Sequence, residues 1–156
     1  AQDAEQARAK AEEALATQLA EQEKQRKLRE AEDAKRNAAG SWDVYTKGGR
    51  VNTGIDAIAW AKRGQDLGAG EICINSIDTD GIKDGYDLAL NRILAETLTI
   101  PVIASGGAGK MADFAEVLDA GADAALAASV FHYKEIAIPD LKHYLGGRGL
   151  PMRTQR

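Results

Sequence analysis

The stretch Ile100-Pro-Val-Ile-Ala-Ser-Gly-Gly-Ala-Gly-Lys110 decides the fold. Val102 to Ala104 is apolar, Ser105-Gly106-Gly107 closes the run, and a helix-like segment starts at Lys110. An apolar strand that ends in small residues just before a helix suits an anion. Glycines let the backbone approach a ligand, and the N–H groups of the coming helix point at it.

Working outward, the same plan recurs. Upstream, Glu71 to Ile77 predicts a strand, Asp78 to Asp84 a polar loop, and Tyr86 to Leu98 a helix with Leu88, Leu90, Ile93, Leu94 and Leu98 apolar. Downstream, the helix runs from Lys110 to Ala120, Ala124 to Val130 reads as the last strand, and Pro139 opens a final helix to Leu145. Leu67-Gly68-Ala69-Gly70-Glu71 and Asp119-Ala120-Gly121-Ala122-Asp123 form an internal repeat; each closes a helix and opens a strand. Short connections between alternating strands and helices predict a parallel α/β body. Ligands of such sheets bind at the carboxyl ends of the strands. Those ends are Asp78 to Gly81, Ser105 to Gly107 and Ala128-Ser129, which together form a candidate anion site.

Ahead of this core, Ser41 to Thr46 alternates as a short strand, and Lys47-Gly48-Gly49-Arg50 reads as the turn of a small hairpin. Thr53 or Asp56 caps the next helix, whose apolar face is Ile55, Ile58, Ala59, Ala61 and Leu67, ended by Gly68 and Gly70. The first 36 residues differ in kind. Residues 1–39 hold none of the 16 glycines and no aromatic residue. Ala, Glu, Gln, Lys and Arg dominate, with Glu23–Lys27 and Glu32–Arg36 as i,i+4 pairs. The expectation is a helical arm over 1–36 and an α/β domain over 37–156. The arm either docks through Leu15, Leu19 and Leu28, frays, or self-associates through the partial seam Ala4, Ala7, Ala11, Leu15 and Leu19.

A net charge of −4 argues against a nucleic-acid partner. The lone Cys73 excludes an internal disulfide and fits a reducing compartment, and no apolar run reaches the roughly 18 residues of a membrane span. The expectation is a cytoplasmic chain with no membrane partner. Gly107-Ala-Gly109-Lys-Met-Ala112 matches a loose dinucleotide pattern, but the next strand ends without the acid that would hold a ribose. Ala104 and Met111 break a P-loop, and Ile82 and Ala89 break an EF-hand begun at Asp78. No metal and no cofactor is expected; Asp78, Asp80, Asp84 and Asp87 read as loop acids, His132 and His143 as surface or capping residues, and Cys73 as core.

From residue 33 to 153 the sequence resembles the second half of the cyclase subunit of imidazole glycerol phosphate synthase, of histidine biosynthesis. The matching runs include Asp33-Ala-Lys-Arg-Asn37, Tyr45-Thr-Lys-Gly-Gly49, Asn52-Thr-Gly54, Gly68-Ala-Gly-Glu71, Asp84-Gly-Tyr-Asp87, Pro101 to Lys110 and Ala122 to His132. The resemblance implies half of a (βα)8 TIM barrel behind the arm. It implies lyase-type chemistry, in which ammonia cyclises a phosphoribulosyl-formimino aminoimidazole carboxamide ribotide, and a glutaminase subunit as the ammonia-supplying partner. By resemblance a phosphate of that substrate sits on Asp80, Gly81, Ser105, Gly106, Gly107, Ala128 and Ser129. Asp33 matches a general acid/base at the end of the family's fifth strand, and Glu71 a member of the charged ring where ammonia enters.

The resemblance starts at that fifth strand, so the family's other catalytic aspartate and other phosphate site fall outside the matching residues, and turnover is expected to be impaired or lost. Lys27 to Glu32 reads as helix, which predicts Asp33 on a helix and not at a strand end. An open half-barrel exposes edges and an apolar inner face, and a homodimer or the arm is the expected cover. The competing readings are a non-catalytic, rearranged or engineered half-barrel scaffold and a phosphoribosyl isomerase of the same pathway; Asp33-Ala-Lys-Arg36 favours the cyclase over the isomerase.

Overall fold

The computed structural model describes residue 10, residues 14–19 and residues 33–153. Residues 10 and 14–19 are helical, and Leu15 and Leu19 are 56% and 55% exposed, so neither is a buried anchor. Leu28, the Glu23–Lys27 pair and most of the expected seam lie outside the described residues.

The body starts earlier than composition suggests. Asp33–Arg36, expected at the end of the arm, is strand β1. A hairpin follows, β2 (Trp42–Thr46) and β3 (Val51–Asp56), then helix α1 (Ala57–Asp66). Three βα units complete the chain: β4 (Ile72–Ser76) with α2 (Leu88–Thr97), β5 (Val102–Ser105) with α3 (Met111–Asp119), and β6 (Ala124–Leu126) with the short α4 (Ser129–His132) and then α5 (Ile138–Gly147). The six strands form one sheet in the order β3-β2-β1-β4-β5-β6. β1, β4, β5 and β6 are parallel, as in part of a (βα)8 barrel, and the hairpin adds two antiparallel strands on the outer side of β1.

Alternation along the strands sorts the two faces. Ala34, Ile74, Val102 and Ala104 are buried beneath the helices, packing with Leu90, Leu94, Phe114, Ala115 and Val117. Asp33, Asn75, Ile103 and Ser105 occupy the other face and are only half-buried. The hairpin is part of the core. Trp42 and Val44 are 3% and 2% exposed, and the Trp42 indole N–H donates to Asp87 Oδ2 at 2.8 Å. Asp87 also caps α2, its Oδ1 accepting from Leu90 N at 3.0 Å, so one carboxylate ties hairpin to helix. Hydrogen bonds from the Asn52 and Asn37 amides hold the Asp43 carboxyl below its usual range.

Several local expectations shift. Thr53 lies within β3 and donates to the Val44 carbonyl; Asp56 is the cap, accepting from Ala59 N at 2.8 Å. Ile55 and Leu67 are exposed, because the buried face of α1 is Ala57, Ala61 and Gly64. The last strand stops at Leu126, and Ser129 already belongs to α4.

Candidate functional site

Strand register brings the polar residues together. Asp33 of β1 aligns with Asn75 of β4, Asn75 with Ser105 of β5, and Ser105 with Leu126 of β6. Aligned positions share a face, so one row crosses the four parallel strands, through the carboxyl-terminal ends of β4, β5 and β6 and the first residue of β1. Asp33 therefore sits in a strand, level with the strand ends; pairing with β4 on one side and β2 on the other overrides the helical composition before it. The row is hydrogen-bonded. Asn75 Nδ2 donates to Asp33 Oδ1 at 3.1 Å, and Ser105 Oγ donates to Asn75 Oδ1 at 3.2 Å.

Beside Ser105 the chain ends of β4, β5 and β6 enclose a cleft of about 160 Å³. Asp80, Gly81, Ser105, Gly106, Gly107, Ala128 and Ser129 all line it, joined by Lys83, Ala108, Leu126 and Ala127. The glycines are required by close approach. A Cβ on Gly106 would lie 2.8 Å from Asn75 Oδ1 and 2.9 Å from the Ser76 carbonyl, and its φ is +86°. A Cβ on Gly107, at φ +111°, would be driven into the Gly85 carbonyl. The 79–85 loop is clamped over this turn by Thr79 Oγ1 donating to the Gly106 carbonyl at 3.0 Å and Gly85 N donating to the Gly107 carbonyl at 2.9 Å.

Below the turn Asp113, 2% exposed, accepts from Gly109 N at 2.8 Å and Lys110 N at 2.9 Å. Those two amides are thereby committed to the protein. Gly107 and Ser129 line the cleft, and neither N–H is among the backbone hydrogen bonds of the described turns and loops. The lining cation is already paired: Lys83 Nζ lies 2.5 Å from Glu135 Oε1. The cleft thus offers neutral hydrogen-bond donors more than net charge. Asp80 opposes an anion and suits a hydroxyl or amine on a phosphorylated ligand. Burial, and then the Asp113 carboxylate, push the Tyr86 phenol well above its usual range; its O–H donates to the Leu126 carbonyl at the cleft edge.

The loop acids have structural work. Asp78 Oδ2 accepts from Arg36 N at 2.6 Å, and Asp87 serves α2 and Trp42. Glu71 precedes β4 at the opposite, amino-terminal end of the sheet and is exposed. Sequence reasoning missed Asn75, Lys83 and Asp113. Asp113 had a signal, an acid three residues after the capping position Lys110. Asn75 had only its polarity inside an apolar strand.

A family model described as histidine biosynthesis protein matches residues 7–137. The chain belongs to that family. The family match begins at residue 7, ahead of the sheet, and runs through all six strands. Among curated members of the family, the imidazole glycerol phosphate synthase subunit HisF of Deinococcus radiodurans is 55% identical over 125 residues, covering 79% of this chain and 48% of the relative. Those of Solibacter usitatus and Oceanobacillus iheyensis are 54% and 56% identical over 123 and 121 residues, each covering 78% of this chain and 48% of the relative. The chain spans about half the length of the curated relatives it matches.

Proposed function

We propose that this chain is a cyclase-type domain of imidazole glycerol phosphate synthase that holds one phosphate of the ribotide substrate in the strand-end cleft. The observation that carries the reading is the convergence of all seven expected residues, from three separate βα units, on one cavity. Backbone N–H groups of Gly107 and Ser129 and the Ser105 hydroxyl supply the donors, an arrangement suited to a phosphate dianion. Asp33, two hydrogen bonds away from the cleft at the same level, is the acid/base candidate. General acid–base work requires geometry first, and the strand position of Asp33, level with the cleft, supports the role. Glu71, at the other end of the sheet, belongs in this reading to the entry for ammonia from a glutaminase partner.

Titration of the purified chain with inorganic phosphate and with the ribotide, followed by calorimetry, tests the site. Saturable binding that Ser105→Asp removes is expected, because a carboxylate in place of the hydroxyl repels the phosphate. Equal affinity in Ser105→Asp refutes the assignment. Ammonia-dependent cyclisation measured beside Asp33→Asn tests the chemistry. Turnover lost in the variant supports the acid/base role, and turnover unchanged refutes it. A second reading, a non-catalytic half-barrel that assembles as a homodimer, is supported by the free edge of β6, which among the described residues pairs only with β5. A solution mass of one chain would sink it.

A further inference from the structure

We infer that Asn75 is a positioning residue that reports occupancy of the cleft to Asp33 by way of the single hydroxyl hydrogen of Ser105. The inference rests on the reading of the cleft as a phosphate site.

The argument is hydrogen-bond bookkeeping. An ionised carboxylate only accepts, so the Asn75 group facing Asp33 must be its NH2. That fixes the other end of the amide: Oδ1 faces Ser105, 3.2 Å from Oγ, and can only accept. Ser105 has one hydrogen, and it is directed at Asn75, which does not line the cleft. The dianion of a phosphate monoester has no hydrogen to give, so its contact with Ser105 needs that same one. Binding therefore turns the Ser105 O–H towards the ligand and strips Asn75 Oδ1 of its donor. The amide is not free to flip in response, since flipping would set Oδ1 against the Asp33 carboxylate. The strain is passed to the 3.1 Å Asn75–Asp33 bond. Gly106 keeps the arrangement possible, because a side chain there would meet Asn75 Oδ1 at 2.8 Å. The row across β1, β4 and β5 is thus one hydrogen-bond chain with a phosphate donor at one end and the acid candidate at the other.

Two consequences separate this from simple packing. First, phosphate must perturb the Asn75 side-chain NH2 group, which does not touch the ligand. Second, removing the amide frees the Ser105 hydrogen in advance. Asn75→Leu should then bind phosphate more tightly, by about two- to tenfold, the worth of one ordinary hydrogen bond. In a Ser105→Ala background the same substitution should change nothing.

The experiment is a titration of the 15N-labelled full chain with methyl phosphate at about pH 8, where the monoester is the hydrogen-free dianion, with the Asn75 NH2 signals identified by their loss in Asn75→Leu. The expected result is that the Gly106 and Gly107 backbone amides and the Asn75 NH2 move with one midpoint, and that the two substitutions are non-additive in affinity. Backbone amides that shift while the Asn75 signals stay still would overturn the coupling and leave the phosphate site standing. Equal or weaker binding by folded Asn75→Leu would do the same. Absence of any saturable shift removes the phosphate site and the coupling together. Should Asn75→Leu fail to fold, Asn75→Ala identifies the signals, and the wild-type titration decides alone.

Discussion

Asp113→Ala gives the most direct test of how the cleft is held. The carboxylate accepts two backbone N–H bonds, from Gly109 and Lys110, while 2% exposed. Hydrogen bonds to a charged acceptor contribute about 1.5–3 kcal/mol each. Lys110 is exposed and Gly109 half-buried, so water recovers part of that loss. The net expectation is about 2–4 kcal/mol. The Lys110 Nζ contact, at 3.8 Å with the lysine 69% exposed, adds little by comparison. Lys110→Met should therefore cost under about 0.5 kcal/mol and serves as the control. Asp113→Asn keeps one acceptor oxygen and should fall at about half the alanine value. For a domain of this size about 1 kcal/mol moves Tm by roughly 4 °C, so Asp113→Ala should melt roughly 8–16 °C lower. Urea unfolding followed by circular dichroism gives the free energies. A loss below about 1 kcal/mol would refute the reasoning, since it would mean that the two amides find other partners at no cost and the turn is not held from below.

Two further outcomes are expected. The Tyr86 phenol, raised by burial first and the Asp113 charge second, remains neutral in the fold at pH values where an unfolded tyrosine ionises. Its stabilising contribution is therefore full below about pH 10 and is lost as pH rises from there towards the folded value. In an absorbance titration at the phenolate band, at least one of the four tyrosines should resist ionisation until the fold is lost, and Tyr86→Phe should remove that step; a single reversible transition for all four would contradict it. Asp87→Ala removes a helix cap and orphans the buried Trp42 indole, a combined cost of about 2–4 kcal/mol. Indole fluorescence should report Trp42 becoming wetter in that variant, and an unchanged spectrum with unchanged stability would contradict the tie between hairpin and α2.

The βα units from β4 to α3 were legible because each couples an apolar run to a glycine-marked end, and both signals are local. The cleft was legible for the same reason, since strand ends carry the site and the strands could be found. Three features were not. Asp33-Ala-Lys-Arg36 favours helix by composition, and only pairing with β2 and β4, distant in sequence, makes it a strand. Ala124 to Val130 is small or apolar throughout, so nothing local marks where β6 ends and the chain turns into α4. Asn75 acquires meaning solely through register. A polar residue near a strand end is unremarkable until Asp33 and Ser105 prove to be its neighbours on both sides.

The same register bears on how a sheet of this kind is completed. A closed (βα)8 barrel needs a parallel neighbour on both sides of every strand. Among the described residues β6 has a free edge, three residues long, with Leu126 47% exposed. β1 has none, because all four of its residues pair with β2. A strand arriving beside β1 would have to displace the hairpin, exposing Trp42 and Val44 and breaking the Trp42–Asp87 bond, at a cost of at least about 3 kcal/mol. Arg36, stacked 4.9 Å over the Trp42 ring, adds to the hold. Assembly is therefore easier at β6 than at β1. Asp33 lies in the guarded strand, opposite Tyr45 of the hairpin. Whatever opens β1 to a new neighbour must also move the wall beside the acid candidate, so completion of the sheet and the setting of Asp33 are one structural event.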